Sequence, residues 1–414
     1  LALSTALTLA IPAAAQTDPQ HLSDMVRTLA SPEFGGRAPG TPGEKTTIDW
    51  LVQQFKTLGL EPGASDGRWV QQVPLIHTRI TGGTISAGDM PLVQGTDVAM
   101  TTVRDNPHIA IKDAPMVFVG YGVSAPEAKW DDFKGVDVRG KVAVFLVNDP
   151  DFVAKPGEDA AGRFGGKRMT YYGRWTYKYE EAARRGAVAA LIVHDTDAAG
   201  YPWSTANASN GENYDIVRGA DDQRVPLQGW LAHDAADRLF AAAGLDLAKL
   251  RVAARSASFR PVEMKPRFSA DLAVTAERIE SANVLAKIPG TKRPDETVMF
   301  GAHWDAYGEG PPDASGKTLR PGANDDALGT AGVLELARLF KAAPKPERTL
   351  VFALWTGEER GLLGSEYYAA HPIYPLAKTA ANLTLDILQT AGPAKDVTLV
   401  GAGNSSLDTL LASA

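Results

Sequence analysis

The sequence contains no cysteine. Disulfide bonds are therefore excluded, and a thiolate can be neither a catalytic nucleophile nor a metal ligand in this protein. A metal site must use imidazole and carboxylate donors instead. Histidine is scarce as well, with seven in 414 residues, so a histidine placed close to several acids is an informative motif.

An excess of positive charge is also absent. The chain has 42 basic and 49 acidic residues, for a net charge of −7, which argues against nucleic acid as a partner because such proteins usually present a basic face. The apolar fraction of 44% and the charged fraction of 22% are ordinary for a globular protein. The length allows about two or three domains.

Beyond the first sixteen residues, no apolar run is long enough to span a membrane. The opening stretch LALSTALTLAIPAAAQ is apolar, is shorter than a membrane span, and ends in small residues that suit a cleavage site before Gln16. We therefore expect residues 1–15 to be the remnant of an export signal. The protein is then expected to be periplasmic or secreted, without stable membrane association. The alternative is a buried N-terminal helix.

The pattern of apolar and turn-forming residues predicts three parts after this signal. Residues 16–115 are predicted to begin the main domain with helices and then short strands. Residues 116–265 form a unit of buried-type strands and helices that we interpret as an inserted domain. Residues 266–414 alternate apolar strands with helices, which predicts an α/β fold with a mixed, mostly parallel sheet flanked by helices.

Polar side chains follow three of the strands predicted in this last part. Five carboxylates and one imidazole lie at strand ends or at the start of the helix predicted at 326–342, namely His303, Asp305, Asp325, Glu358, Glu359 and Asp386. Ligands of such sheets gather outside the carboxyl ends of the strands. We therefore expect these six side chains to converge at one edge of the sheet.

Five neighbouring carboxylates cannot all stay ionised without a compensating cation. Imidazole and carboxylate ligands suit zinc, and two ions neutralise this much charge better than one. In the Glu358–Glu359 pair, one carboxylate can bind metal while the other moves a proton, so the implied chemistry is hydrolysis. Taken singly, each motif is weak. Asp325 alone could be a helix N-cap, and GEERG alone could be a solvated loop. Their joint order favours a site.

The motifs GAHWD, PGANDDALGTAG, WTGEERGLLGS and NLTLDIL resemble those of the co-catalytic di-zinc exopeptidases, a family that includes bacterial aminopeptidases and glutamate carboxypeptidases. The opening LASPEFGGRAPG also looks like the start of such enzymes. The segment 116–265 resembles a protease-associated domain, which is found inserted in several branches of the family. The resemblance covers nearly the whole chain after the signal.

The resemblance implies a role for each of the six residues. His303 and Asp386 would hold the first Zn²⁺, and Asp325 would bridge two ions. Glu359 would bind the second Zn²⁺, and Glu358 would be the general base. Asp305 would be the catalytic-site partner that hydrogen-bonds His303 and fixes its tautomer.

The sequence departs from the family pattern in two respects. The family supplies a second zinc histidine well beyond the Asp386 position, so we expect a chain that ends at Ala414 to be a fragment at both ends, with an incomplete second zinc site. An oxyanion-stabilising side chain, often a tyrosine, would be lost with it. In addition, Leu328 and Tyr307 stand where many relatives carry serine and histidine, although neither position is a ligand.

The resemblance implies an aminopeptidase that acts on peptides. One alternative is a carboxypeptidase for acidic dipeptides, which would need an arginine cluster for the substrate carboxylate, and the sequence near the motifs contains none. Another is a catalytically inactive, receptor-like protein on the same fold. The basic and aromatic run RFGGKRMTYYGRWTYK, residues 163–178, could bind a substrate carboxylate or form a lid, although a solvated loop is favoured. Arg37 is not assigned a role, and the sequence leaves the oligomeric state open.

Overall fold

The computed structural model describes residues 16–219, 224–310, 312–313, 315–397 and 406–413. The predicted export signal, residues 1–15, lies outside the described residues. The strands are β1 Glu61–Pro62, β2 Val70–Ala87, β3 Met90–Pro91, β4 Val98–Thr101, β5 His108–Phe118, β6 Ser124–Ala125, β7 Trp130–Asp131, β8 Val142–Leu146, β9 Ala189–Val193, β10 Glu212–Ile216, β11 Leu227–Leu231, β12 Val262–Ile288, β13 Arg293–His303, β14 Gly308–Glu309, β15 Leu319–Arg320, β16 Arg348–Trp355 and β17 Thr379–Thr384. The α-helices are α1 Pro19–Leu29, α2 Pro42–Thr57, α3 Trp175–Arg184, α4 Thr196–Ala199, α5 Trp203–Ala206, α6 His233–Ala242, α7 Leu247–Ala253, α8 Leu328–Ala342, α9 Leu363–Ala370 and α10 Leu407–Ser413. No described helix combines the length and apolar character that crossing a membrane requires.

One large mixed sheet organises the described residues. Its main path runs β17-β13-β16-β12-β5-β8-β9-β11-β4. The pairs β17-β13, β13-β16, β5-β8, β8-β9 and β9-β11 are parallel, whereas β12 pairs antiparallel with both of its neighbours. The predicted mixed α/β fold class is thus confirmed. Because β13, β16 and β17 are parallel, their carboxyl ends meet at one edge.

The strands β2 and β12 form a long ribbon that the sequence analysis did not predict. The prediction of short strands after residue 70 is wrong here, because β2 is 18 residues long and pairs antiparallel with the 27-residue β12. Gly82 and Gly83 indicate a turn in the sequence, yet they lie within the ribbon. A Cβ atom at Gly83 would lie 2.0 Å from the carbonyl oxygen of Asp271. The glycine therefore permits close strand approach at the register shift next to Ala273.

The predicted division into parts remains a prediction, and its boundaries fall inside strands. Position 116 lies within β5 and position 265 within β12, and both strands continue across the proposed boundary. Strand β4 precedes the predicted insertion but pairs with β11 inside it. The large sheet therefore continues from one part into the next.

Helix α8 packs on the sheet and forms the core next to the strand ends. In α8, Val333 and Ala337 are fully buried, and Leu336 and Phe340 pack partly buried beside them. This apolar stripe recurs at helical spacing and faces β13 and β16. Trp304, which directly follows β13, is 1% exposed in the same core. The end of β13 is thus held rigidly.

Candidate metal centre

The parallel arrangement of β13, β16 and β17 brings the sequence-predicted residues together. His303 is the last residue of β13 and is paired in register with Trp355, the last residue of β16. Glu358 and Glu359 follow β16 on a short 3₁₀ turn, and Asp386 follows β17. All four side chains therefore start from the same edge of the sheet, as expected from the sequence.

His303 is buried and lies at the centre of the carboxylates. Its Nε2 atom is 3.0 Å from Asp325 Oδ1, 3.7 Å from Glu358 Oε2 and 3.8 Å from Asp386 Oδ1. One ligand atom from each of His303, Asp325 and Asp386 lies within 4.8 Å of the others. Burial by itself lowers the pKa of His303, but the facing carboxylates of Asp305 and Asp325 outweigh it and raise the pKa. One nitrogen and two carboxylates at this spacing fit a divalent cation such as zinc.

Asp305 connects His303 to the turn that carries the two glutamates. Its side chain is fully buried, and its Oδ1 atom is 3.5 Å from His303 Nδ1. The nearer partner of Nδ1 is the backbone carbonyl oxygen of Asp305, at 3.1 Å. The Asp305 carboxylate also accepts a hydrogen bond of 3.1 Å from the backbone N–H of Glu358. Nothing in the sequence indicates this second contact.

The helix-capping role considered for Asp325 belongs to its neighbour Asp326. Asp326 is fully buried, and its carboxylate accepts hydrogen bonds from the backbone N–H of Gly329 at 2.7 Å and of His303 at 3.2 Å. A Cβ atom at Gly329 would lie 2.2 Å from Asp326 Oδ1, so only glycine leaves room for the cap. Asp325 makes no capping bond and faces His303. The signal in the sequence is the second acid of the pair, Asp326, with a glycine three positions later at Gly329.

The two glutamates are half-buried, and their ionisation is disfavoured. Burial is the largest cause and raises the pKa of Glu358 to about 7 and that of Glu359 to about 9. Nearby acids, Asp305 and Asp325 among them, raise both values further, whereas His303 lowers them. Burial is the largest cause of a raised pKa of the Tyr307 phenol, and the nearby Glu359 carboxylate raises it further. Neighbouring carboxylates whose pKa values are raised in this way are typical of a site that a cation neutralises.

Arg37, to which the sequence analysis assigned no role, is a fully buried structural clasp beside the site. Its guanidinium donates to the backbone carbonyl oxygens of Leu29, Trp304, Pro321 and Gly322 at 2.7–2.8 Å. Burial lowers the pKa of Arg37 to about 10, although the site carboxylates act in the opposite direction. The clasp fixes the segment after β13 and the loop before Asp325.

The clasp predicts a large effect of a conservative substitution. Arg37→Lys keeps the charge but cannot reach four carbonyl oxygens, so the free energy of unfolding is expected to fall by about 2–4 kcal/mol. Urea denaturation measures this change. Arg68→Lys is the control, because Arg68 is exposed and its ion pair with Asp66 spans 3.9 Å. Equal stabilities for the two variants would contradict the clasp.

A cleft of about 350 Å³ opens beside the cluster. Asp325, Glu358 and Glu359 line one side, and the other side includes Arg174 and Trp175 from the predicted insertion. These two residues belong to the basic and aromatic run 163–178, for which the sequence favours a solvated loop. The end of that run instead lies against the candidate site.

The fold and the cluster together place an imidazole and several carboxylates, a donor set that suits a divalent cation, at one edge of a mixed sheet. Residues 283–414 match the model of Peptidase family M28. The match confirms the resemblance drawn from the four motifs.

The solved and curated proteins similar to this chain include aminopeptidases and a zinc metalloprotease. The aminopeptidase from Aneurinibacillus sp. strain AM-1 is 23% identical, covers 90% of this chain and 71% of its own, and superposes with a TM-score of 0.50, which shows a common fold. The "Probable lipoprotein aminopeptidase LpqL" of Mycobacterium tuberculosis is 25% identical over 378 residues, or 90% of this chain and 59% of that protein. A "Probable zinc metalloprotease" of Pyrenophora teres f. teres is 39% identical over 110 residues, or 27% of this chain and 23% of that protein. The chain thus spans less than two thirds of the length of these curated relatives.

Proposed function

We propose that the chain belongs to a zinc-dependent aminopeptidase that hydrolyses N-terminal residues from peptides. The observation that carries the proposal is the cluster of His303, Asp325 and Asp386, whose ligand atoms lie within 4.8 Å of one another, with the Glu358 carboxylate 3.7 Å from the imidazole. The name of the relative LpqL, which matches 90% of this chain, supports the choice of an aminopeptidase.

Two zinc ions are proposed for the site. His303 and Asp386 would hold the first, Asp325 would lie between the two, and Glu359 would bind the second. The partial exposure of Asp325, at 43%, and the position of Glu359 in the same cleft support this division. Bound zinc polarises a substrate carbonyl and makes a water molecule more acidic, which is the chemistry that peptide hydrolysis needs.

Glu358 is assigned the proton transfers. Its carboxylate faces both His303 and the cleft, and its backbone N–H is fixed by Asp305. From this position it can take a proton from the attacking water and return it to the leaving amine. Asp305 keeps its proposed role of orienting His303, now with the additional contact to Glu358.

Arg174 favours a second candidate, a carboxypeptidase for acidic dipeptides. Its guanidinium lines the cleft and contributes to the lowered pKa of Asp386, for which the facing imidazole of His303, 3.8 Å away, is the largest cause. A cation at this place could hold a substrate carboxylate. The receptor-like alternative is less well supported, because His303, Asp325, Glu358 and Asp386 are all in place around one centre.

The proposed substrate is a peptide, and export to the periplasm or the medium is proposed from the apolar stretch at residues 1–15. The word "lipoprotein" in the name of LpqL supports export. Nucleic acid is not proposed as a partner because the net charge is −7.

One assay separates these candidates. The protein expressed from its full gene is given aminoacyl-p-nitroanilides and an amino-blocked acidic dipeptide, with and without 1,10-phenanthroline. An aminopeptidase cleaves the nitroanilides, loses activity with the chelator and regains it with Zn²⁺. Cleavage of the blocked dipeptide alone would instead identify a carboxypeptidase. Zinc binding without turnover of either substrate would identify a binding protein.

A further inference from the structure

Arg360 directly follows the two glutamates of the site and is held by the predicted insertion. Its side chain is 7% exposed, and its Nη2 atom is 3.4 Å from Glu212 Oε2, on β10. The guanidinium also lies over the rings of Tyr307 and Tyr214, at 4.9 and 5.4 Å from their centroids. Arg360 is therefore enclosed by one carboxylate and two aromatic rings, which restrict its position.

Glu212 is itself a fixed anchor. Its Oε1 atom accepts hydrogen bonds from His77 Nε2 at 2.7 Å and from Arg79 Nη2 at 2.6 Å, both on β2. The His77 ring stacks on Tyr214 with centroids 4.4 Å apart. Burial raises the pKa of Glu212, but the hydrogen bond from His77 and the charges of Arg360 and Arg79 outweigh it and lower the pKa. Glu212 thus presents a charged, immobilised Oε2 atom to Arg360.

The turn that carries Glu358 and Glu359 needs a fixed contact of this kind. It is a single 3₁₀ turn between Gly357 and Gly361, both of which have positive φ. The Glu358 backbone N–H is fixed by Asp305, but the carboxylates of Glu358 and Glu359 point into the cleft and cannot pack in a core. Arg360 is the residue of this turn whose side chain reaches strand β10, at Glu212.

We propose that Glu212 is a positioning residue for Glu358 and Glu359 and that it acts through Arg360. The catalytic consequence rests on the proposed peptidase function. The structural consequence does not, because it concerns only the order of the turn. The proposal gives the predicted insertion a part in the site, since β10 lies within it.

Two variants test this contact in the purified full-length protein. Glu212→Gln replaces a carboxylate oxygen by an amide that pairs poorly with guanidinium, and Arg360→Met removes the cation while keeping an unbranched side chain. The matched control is Glu263→Gln, whose exposed ion pair with Lys141 spans 3.0 Å far from the turn. Hydrogen exchange is measured in the chelated protein. The readout is the exchange rate of three backbone amides. Those of Gly361 and Leu362 donate to the carbonyl oxygen of Glu358, and that of Leu363 donates to the carbonyl oxygen of Gly357.

The contact predicts a local loss of protection and a loss of turnover. Both variants are expected to speed exchange at these amides about tenfold or more, as the loss of a charge-assisted hydrogen bond implies. The displaced glutamates should lower kcat by about 10- to 100-fold with little change in KM. The control should change neither quantity.

Different failures point to different proposals. Unchanged exchange at the turn, or an equal rise in exchange over the whole sheet, would overturn the positioning role. A wild-type protein without peptidase activity would refute the proposed function instead, because the exchange result stands without substrate. If Glu212→Gln does not fold, Arg360→Lys takes its place. That variant must protect the turn better than Arg360→Met, and equal exchange in the two would overturn the proposal.

Discussion

Glu358→Gln is expected to lower kcat by about 10²- to 10⁴-fold, the range that a general base contributes. Glutamine has the same shape and keeps the backbone N–H that donates to Asp305, but its amide cannot accept a proton from water. Because Glu358 is not assigned as a ligand, the zinc content should stay close to that of the wild type. Steady-state kinetics and elemental analysis of the same preparation measure the two quantities.

A surface substitution provides the comparison for this variant. Glu347→Gln removes an exposed carboxylate paired with Lys292 and Arg293 and should leave both kcat and zinc content unchanged. A large loss of zinc in Glu358→Gln would mean that Glu358 is a ligand, and Glu359 would then be the candidate base. Full activity in Glu358→Gln would refute acid–base catalysis by this residue.

Asp325→Asn is expected to remove most of the zinc-dependent stability. Asp325 is 3.0 Å from His303 Nε2 and is proposed to contact both ions, so its loss weakens both sites at once. A ligand that binds only the folded state stabilises it by about 2.7 kcal/mol when present at 100 times Kd. The wild type should gain this amount when zinc replaces chelator, and the variant should gain much less. Urea denaturation with chelator and with zinc measures the difference.

The stability of the variant in chelator provides a second result for this test. Without metal, Asp325 repels the carboxylates of Glu358 and Glu359 but attracts the imidazole of His303. These effects oppose each other, so Asp325→Asn should be close in stability to the wild type in chelator. Asp295→Asn is the matched control, because Asp295 is exposed and paired with Lys378 at 3.0 Å. That control should keep the full zinc-dependent gain. A variant at Asp325 that also keeps this gain would rule out its ligand role.

The sequence alone was sufficient to predict the strand ends and the residues that gather there. Apolar runs such as TVMFGA and FALW are typical of buried parallel strands, and such strands place their carboxyl ends at one edge. His303, Asp325, Glu358 and Asp386 lie at that edge as expected. The pattern is local, since each residue directly follows a strand or precedes a helix.

The contacts that hold these residues in place were decided by the tertiary structure. Arg37 bonds to a carbonyl oxygen 267 positions away, and Glu212 pairs with Arg360 across 148 positions. No periodicity or spacing in the chain encodes such pairs, because they arise when the turn that ends at Arg37 and the strand β10 pack against the strand ends. The sequence therefore determined which groups gather at the strand ends, whereas long-range packing decided how they are oriented.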